Sequence, residues 1–303
     1  MTRKIWMDGT IVDWDDAKIH ILTHSLHYGT AVFEGIRCYN APQDLAIFRL
    51  DDHIQRLVDS CKIYSMNLKY SAEQIRKAVL ETVKINGSEN YYVRPIIYYG
   101  YGKMGVNPLP HKVCMAVAAW IWDEPTYVNQ AGGIRAIVSS WTRIDSRSLP
   151  ILAKATANYA NSVLARIEAI NQGYDEAILL NSYGKVAEAT AENVFIVKDD
   201  CLITPPLTAG ALRGITRDSI LTLAREIGLE SSISDFCRED LYLADEIFLS
   251  GTAAGIKPVT EIDHRIVGEG KVGEFTTRLT KKFQNVVEGN DSKYSSMWLT
   301  SIL

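Results

Sequence analysis

The order of the local signals constrains this chain most. Short strand-like runs joined by tight turns alternate irregularly with capped amphipathic stretches along its 303 residues. "KIWMDGTIVDW" carries an Asp8-Gly9 turn between two strand-like runs, which is a hairpin signal. "LAIFRL" reads as a strand running into a helix that begins near Asp51. Ser71 with Gln74 makes a capping box ahead of Ile75, Val79 and Val83 at helical spacing. Hairpins mixed with helices, in place of a repeating strand–helix–strand unit, predict an α+β fold and not a doubly wound parallel sheet.

The length allows two domains. Residues 1–122 read as the first, closed by the apolar runs "YYVRPIIYYG" and "KVCMAVAAWIW". The polar, turn-rich "DEPTYVNQAGG", residues 123–133, reads as a linker, and residues 134–303 as the second domain. That domain opens with the strand "IRAIVSSWTRI". A helix follows Lys154, with Tyr159, Val163, Ile167 and Ile170 on one face and Gly173 just past its end. "DEAILL", "KVAEATAENVFIVK" and "CLIT" read as strands joined by short turns such as Tyr183-Gly184, and "GITRDSILTLAREIG" as a capped helix.

Composition removes several classes of function. A net charge of −4 leaves no broad basic field for nucleic acid or an anionic membrane. The longest apolar run is about ten residues, too short to span a bilayer, and "MTRKIWMDGT" lacks the apolar core of a signal peptide. The five cysteines are scattered with no CxxC pair, which fits a reducing cytoplasm and offers neither a zinc knuckle nor a disulfide framework. His24 and His27 stand three apart without a third ligand at metal spacing, so no metal is expected.

Five stretches could carry chemistry. In "SLPILAKATANYANS", Lys154 sits among small apolar residues with no neighbouring carboxylate. Its stem could simply cover apolar surface. Partial desolvation would instead lower its pKa and leave an amine ready for Schiff-base chemistry. In "GKVAEATAENVF", simple alternation puts Val186, Glu188 and Thr190 on one strand face. A carboxylate there needs a partner, either an arginine or a protonated heterocyclic nitrogen. "LTAGALRGITRDS" leads small residues into a helix start near Thr216, a natural anion cradle that lacks the nucleotide-binding P-loop pattern. "FLSGTAAGI" offers a second set of small donors. In "YYVRPIIYYG", Tyr92, Arg94, Ile96 and Tyr98 share a face, an arginine between tyrosines suits a carboxylate, and Pro95 marks the strand as an edge or a bulged one. A Schiff-base lysine, a carboxylate for a ring nitrogen and a phosphate cradle together make the parts list of pyridoxal phosphate.

With these pieces in hand, the chain resembles the branched-chain amino acid aminotransferases of the fold-type IV pyridoxal-phosphate enzymes. The resemblance covers nearly the whole chain, through "HSLHYGTAVFEGIRCY", "DDHIQRL", "YYVRP", "GKMGVNP", "AKATANY", "EATAENVF", "TAGALRGITRDSI" and "LADEIFLSGTAAGI". It implies two α/β domains with pyridoxal 5'-phosphate at their junction, in homodimers or assemblies of dimers, in the cytoplasm. By position, Lys154 would form the Schiff base, Glu188 would pair with the ring nitrogen and Tyr159 would bond the ring's O3′ side. Arg56, Gly214, the N–H groups of Ile215 and Thr216, and Thr252 would hold the phosphate, and Leu212 would pack on the ring. Substrate would meet Phe33, Gly35, Tyr92, Arg94, Trp122, Thr252 and Ala253, with Tyr28 reaching into the neighbouring subunit's site. Thr156 and Ala157 stand where the family usually has Gly or Ser.

The implied activity is ping-pong transamination between leucine, isoleucine or valine and 2-oxoglutarate. D-amino-acid or (R)-amine aminotransferase and aminodeoxychorismate lyase share the same lysine, glutamate and phosphate cradle and are the alternatives. A cofactor-binding sensor without turnover is the alternative of a different class.

Overall fold

Asp8 and Gly9 take positive φ, 49° and 98°, which turns β1 (Lys4–Met7) back on β2 (Thr10–Asp13) with Met7 opposite Thr10. This is the hairpin expected from the Asp-Gly pair. The structure, a computed structural model, describes residues 3–41, 44–121 and 132–302. The chain divides into two units. Met1–Asp123, Ala153–Ala157 and Asn285–Leu303 form the first, and Glu124–Leu152 and Asn158–Gln284 the second.

In the first unit, β3 (Ala31–Phe33), β4 (Ile36–Asn40), β5 (Leu45–Phe48), β6 (Tyr91–Tyr99) and β7 (Val113–Ile121) join the hairpin in one sheet. Its order is Leu299–Ser301, β5, β4, β6, β7, β1, β2, with β3 also on β6, and every pairing is antiparallel. Helices α2 (Leu50–Ile63) and α3 (Ala72–Asn86) follow the short α1 (His24–Tyr28). Ser71 and Gln74 form the expected capping box, so α3 starts where the sequence placed it. Ile75, Val79 and Val83 then enter one core with Ile54, Leu57, Val93, Ile97 and Met115. Burying each such side chain is worth about 1.5–3 kcal/mol, more than capping or propensity supplies.

Pro95 corrects the reading of β6 as an edge or bulged strand. β6 is interior, with an unbroken register to β7 from Tyr91↔Ile121 to Tyr99↔Val113. On its other side β4 pairs with Tyr92 and Val93, and β3 with Ile96 to Tyr98. Pro95 faces the break between these two short strands, where its carbonyl accepts from the Glu34 N–H at 2.9 Å. The missing proline N–H therefore costs no ladder bond.

The second unit holds β8 (Ile134–Val138), β9 (Glu176–Leu180), β10 (Val186–Ala189), β11 (Asn193–Lys198), β12 (Cys201–Thr204), β13 (Glu230–Ile233), β14 (Glu246–Gly251), β15 (Gly255–Ile262) and β16 (Arg265–Ile266). The sheet runs β10, β9, β8, β15, β14, β11, β12, β13 with β16 on β15. β8 is parallel to β9 and to β15, and β12 to β13, while the remaining pairs are antiparallel. Two sheets of hairpins with a few crossovers match the expected α+β class.

Two local expectations change. β10 shifts register between Val186 and Glu188. Val186 and Ala189 therefore share the core, and Val186 does not share a face with Glu188 as simple alternation required. Helix α4 (Tyr159–Asn171) buries Ser162, Ala165 and Ala169, while Val163, Ile167 and Ile170 are about half exposed. Small residues let the helix approach Ala177 and Leu179 of β9 closely, so the large apolar face points outward.

The boundaries also differ from the sequence reading. Residues 153–157 and 285–303 pack with the first unit, so Lys154 belongs there and not to the C-terminal unit. Most of the expected linker, residues 123–133, lies outside the described residues. Among the described residues, no helix is long and apolar enough to cross a membrane.

Candidate active site

In the first unit, the segment around Lys154 is laid against β3 by its backbone. The Lys154 carbonyl accepts from the Phe33 N–H at 3.0 Å, and its own N–H donates to Ser60 Oγ at 3.1 Å. Thr156 donates its hydroxyl to the Gly29 carbonyl at 2.9 Å. A β-carbon on Gly29 would stand 3.1 Å from that of Ala157, so the two chain segments meet at a glycine. Thr156, one of the departures from the family habit, is thus a tether. The half-buried Lys154 side chain holds Nζ 5.3 Å from the centre of the Phe33 ring.

Arg56, nearly two turns into α2, meets a group the sequence reading passed over. Its Nε and Nη2 donate to Glu34 Oε1 and Oε2 at 2.6 and 2.8 Å, a two-bond fork. His53 Nδ1 lies 2.7 Å from the same Glu34 Oε2. Glu34 and His53 are both fully buried. Burial alone would raise the Glu34 pKa, but the charges and hydrogen bonds of Arg56 and His53 hold it well below the usual carboxylate range. Burial pushes the His53 pKa down, and the positive charges of Arg56 and Lys154 add to this against the pull of Glu34. Facing the Glu34 carboxylate, which can only accept, His53 Nδ1 is the donor of this contact.

Phe33, Tyr92 and Arg94 come together on the same sheet. The Arg94 guanidinium lies 4.6 Å from the Phe33 ring centre, 5.3 Å from Tyr92 and 5.9 Å from Trp120. Arg94 Nη2 donates to Tyr92 Oη at 3.2 Å, while its buried Nε has no hydrogen-bond partner among the described residues. A β-carbon on Gly35 would fall 1.9 Å from Tyr92 Oη, so only glycine lets that tyrosine stand there. Trp120, opposite Tyr92 in the β6–β7 register, was missed by the sequence reading. Trp122, which was named instead, lies outside the described residues. Tyr28 ends α1 and is 39% exposed.

In the second unit, Glu188 is buried with three partners. Arg143 Nη2 is 2.5 Å from Oε1, and Oε2 accepts from the Leu212 N–H at 2.8 Å and from Asn193 Nδ2 at 3.4 Å. Asn193 also donates to the Leu212 carbonyl at 3.0 Å. Gly214 begins α5 (Ile215–Glu226) without a side-chain cap, which leaves the first N–H groups of the helix, those of Ile215 and Thr216, in the position of an anion site. A β-carbon on Gly214 would lie 1.9 Å from Asn193 Oδ1. The register of β11 with β14 sets Asn193 opposite Ser250, whose buried Oγ has no hydrogen-bond partner among the described residues. Thr252 and Ala253 follow in the turn between β14 and β15, and Tyr159 is the half-buried first residue of α4.

Glu188, Leu212, Gly214, Ile215 and Thr216 thus share one network or its edge, as Lys154, Arg56, Phe33, Gly35, Tyr92 and Arg94 share another. Sequence reading missed Glu34, His53, Trp120, Arg143 and Asn193. The available signals were a carboxylate inside the apolar run "AVFEGI" and a histidine three residues before Arg56 on one helix. Nothing local marks Arg143 or Asn193.

The amino-transferase class IV family profile matches residues 31–262. This chain belongs to the class IV aminotransferases. The branched-chain-amino-acid aminotransferase of Salmonella typhimurium is 44% identical to it over 289 residues, 94% of this chain and 93% of that protein. That of Escherichia coli K12 is 43% identical over 303 residues, 98% of this chain and 97% of that protein. Among solved structures, the T.th. branched-chain amino acid aminotransferase complexed with N-(5'-phosphopyridoxyl)-L-glutamate superposes with a TM-score of 0.95. It is 40% identical, with 100% of this chain and 99% of that chain covered.

Proposed function

We propose that this class IV aminotransferase uses pyridoxal 5'-phosphate to exchange amino groups between leucine, isoleucine or valine and 2-oxoglutarate, giving branched 2-oxo acids and L-glutamate by a ping-pong mechanism. The residues present fit the cofactor. They supply a half-buried lysine, a guanidinium held in a fixed plane, a buried carboxylate, an uncapped helix start at a glycine that tolerates no β-carbon, and a buried serine hydroxyl without a hydrogen-bond partner among the described residues. When bound, pyridoxal phosphate supplies an aldehyde with which amines condense and a ring that draws electrons from the donor's Cα–H bond.

Lys154 Nζ would hold the cofactor through its aldehyde and, as a free amine, would take the proton from the donor's Cα. Glu188 would accept a hydrogen bond from the cofactor's ring nitrogen, and Arg143 and the Leu212 N–H orient its carboxylate. Tyr159 would donate to the ring's O3′ side and Leu212 would pack on the ring. Arg56, Gly214, the Ile215 and Thr216 N–H groups and the Thr252 hydroxyl would hold the phosphate. Phe33, Gly35, Tyr92, Trp122, Thr252 and Ala253 contact the substrate. The enzyme works in the cytoplasm as a homodimer or an assembly of dimers, and Tyr28 serves the neighbouring subunit's site.

One observation carries the dual substrate range. Arg94 offers a buried N–H with no partner among the described residues, from within a wall of Phe33, Tyr92 and Trp120, so an aliphatic chain and a second carboxylate can both be accommodated. Spectral titration of the half-reaction with a panel of L- and D-amino acids tests the reading. L-Leucine, L-isoleucine, L-valine and L-glutamate should convert the bound cofactor, and 2-oxoglutarate should restore it. Conversion by D-alanine with no response to L-leucine would assign a D-amino-acid aminotransferase. Pyruvate release from aminodeoxychorismate would assign the lyase.

A further inference from the structure

The Glu34 carboxylate is fully buried, yet no part of the proposed transamination uses it directly. A buried ion pair is costly to assemble, and an apolar replacement is often as stable. Its partner, Arg56, is the side chain that the proposed function places on the cofactor phosphate. Glu34 takes both Nε and Nη2 of that guanidinium, at 2.6 and 2.8 Å. Two parallel bonds fix the plane and the direction of a planar fork, which one bond would leave free to swing.

His53 completes the arrangement from one turn earlier on α2. Its Nδ1 stands 2.7 Å from Glu34 Oε2, so the carboxylate is held from both sides. The Arg56 carbonyl accepts from Ser60 Oγ at 2.8 Å, and the same Ser60 Oγ accepts from the Lys154 N–H at 3.1 Å. On the strand side, the Lys154 carbonyl accepts from the N–H of Phe33, the residue before Glu34. The guanidinium and the backbone of the Schiff-base lysine are therefore referenced to one frame, built from Phe33, Glu34, His53, Arg56 and Ser60.

We propose that Glu34 is a positioning residue for the cofactor phosphate. Its carboxylate aims the Arg56 guanidinium, at the expense of part of that group's net positive charge, so that the phosphate is seated at a set distance from Lys154. This rests on the assignment of Arg56 to the phosphate. Two opposite effects are at stake. Loss of Glu34 removes a negative charge, which on charge alone would strengthen phosphate binding. Loss of the fork lets Arg56 swing, which weakens it. Orientation is the stronger term, because a displacement of about 1 Å in a positioning group can cost on the order of 10²-fold.

The test compares pyridoxal phosphate with pyridoxal, the same aldehyde without the phosphate. Enzyme stripped of cofactor is titrated with each, and binding is read from the visible absorbance of the bound form. Glu34→Gln should weaken pyridoxal phosphate about 10- to 100-fold while leaving pyridoxal unchanged. Arg56→Lys, which keeps the charge without the fork, should lose the same selectivity and serves if the Glu34 variant fails to fold. In an Arg56→Ala background, Glu34→Gln should add nothing. Equal weakening of both aldehydes, or tighter phosphate binding by Glu34→Gln, overturns the proposal. If Arg56→Ala leaves the preference for the phosphate intact, the assignment of Arg56 itself is wrong. If Arg56→Ala removes that preference and neither Glu34→Gln nor Arg56→Lys does, only the positioning role fails.

Discussion

Arg94→Ala separates the two half-reactions of the proposed ping-pong exchange. In the native chain the guanidinium is wedged 4.6 to 5.9 Å from three ring centres, spends one bond on Tyr92 Oη at 3.2 Å and keeps a buried Nε without a partner among the described residues. An arriving γ-carboxylate would satisfy that N–H and meet a full charge in a partly desolvated place. Hydrogen bonds to charged groups contribute about 1.5–3 kcal/mol, so the loss is roughly 10- to 150-fold in the specificity constant for glutamate. Leucine loses no such bond, and its constant should change by less than about threefold. Stopped-flow absorbance, with L-glutamate and L-leucine each mixed with the cofactor-loaded enzyme, gives both constants. Equal losses would refute the assignment of Arg94 to the carboxylate, as would a larger loss with leucine.

Two further predictions concern the second unit. Gly214→Ala drives a β-carbon to 1.9 Å from Asn193 Oδ1, so Asn193 must leave its bonds to Glu188 and the Leu212 carbonyl. The cost is about 1–3 kcal/mol, read as a lower urea midpoint of the cofactor-free protein, and an unchanged midpoint contradicts it. Glu176 is buried beside Glu192, and burial together with that neighbour's charge pushes its pKa up to about 7 despite Arg166, Thr190 and Lys257. Its folded value lies above the ordinary 4.5. The stability this protonated group confers is therefore complete below that value and is lost as pH rises through about 7. Glu176→Gln should flatten that part of the pH–stability curve, and a slope equal to the parent's would refute the linkage.

What the sequence disclosed and what it hid divide along chain separation. The Asp8-Gly9 hairpin, the Ser71–Gln74 box and the glycine-led start of α5 depend on residues a few places apart, and all three form where the sequence put them. Pro95 misled because its tolerance depends on where β3 and β4 break, some sixty residues earlier in the chain. The bulge at Glu188 exists only in pairing with β9, and the outward apolar face of α4 follows from how closely Ala165 and Ala169 meet that strand. Lys154 was marked by its surroundings, but its membership in the first unit rests on bonds to Phe33 and Ser60, 121 and 94 positions away. Arg143 and Asn193 support a carboxylate the sequence did single out, through contacts that no local pattern encodes.

The most direct test of the account is Lys154→Ala, assayed for the visible cofactor absorbance and for leucine–2-oxoglutarate turnover after loosely bound cofactor is stripped. If Lys154 has its proposed role in holding the cofactor and moving the Cα proton, removing its amine should abolish that absorbance and lower turnover by at least about 10²–10⁴-fold. Turnover retained at the parent rate would contradict the mechanism.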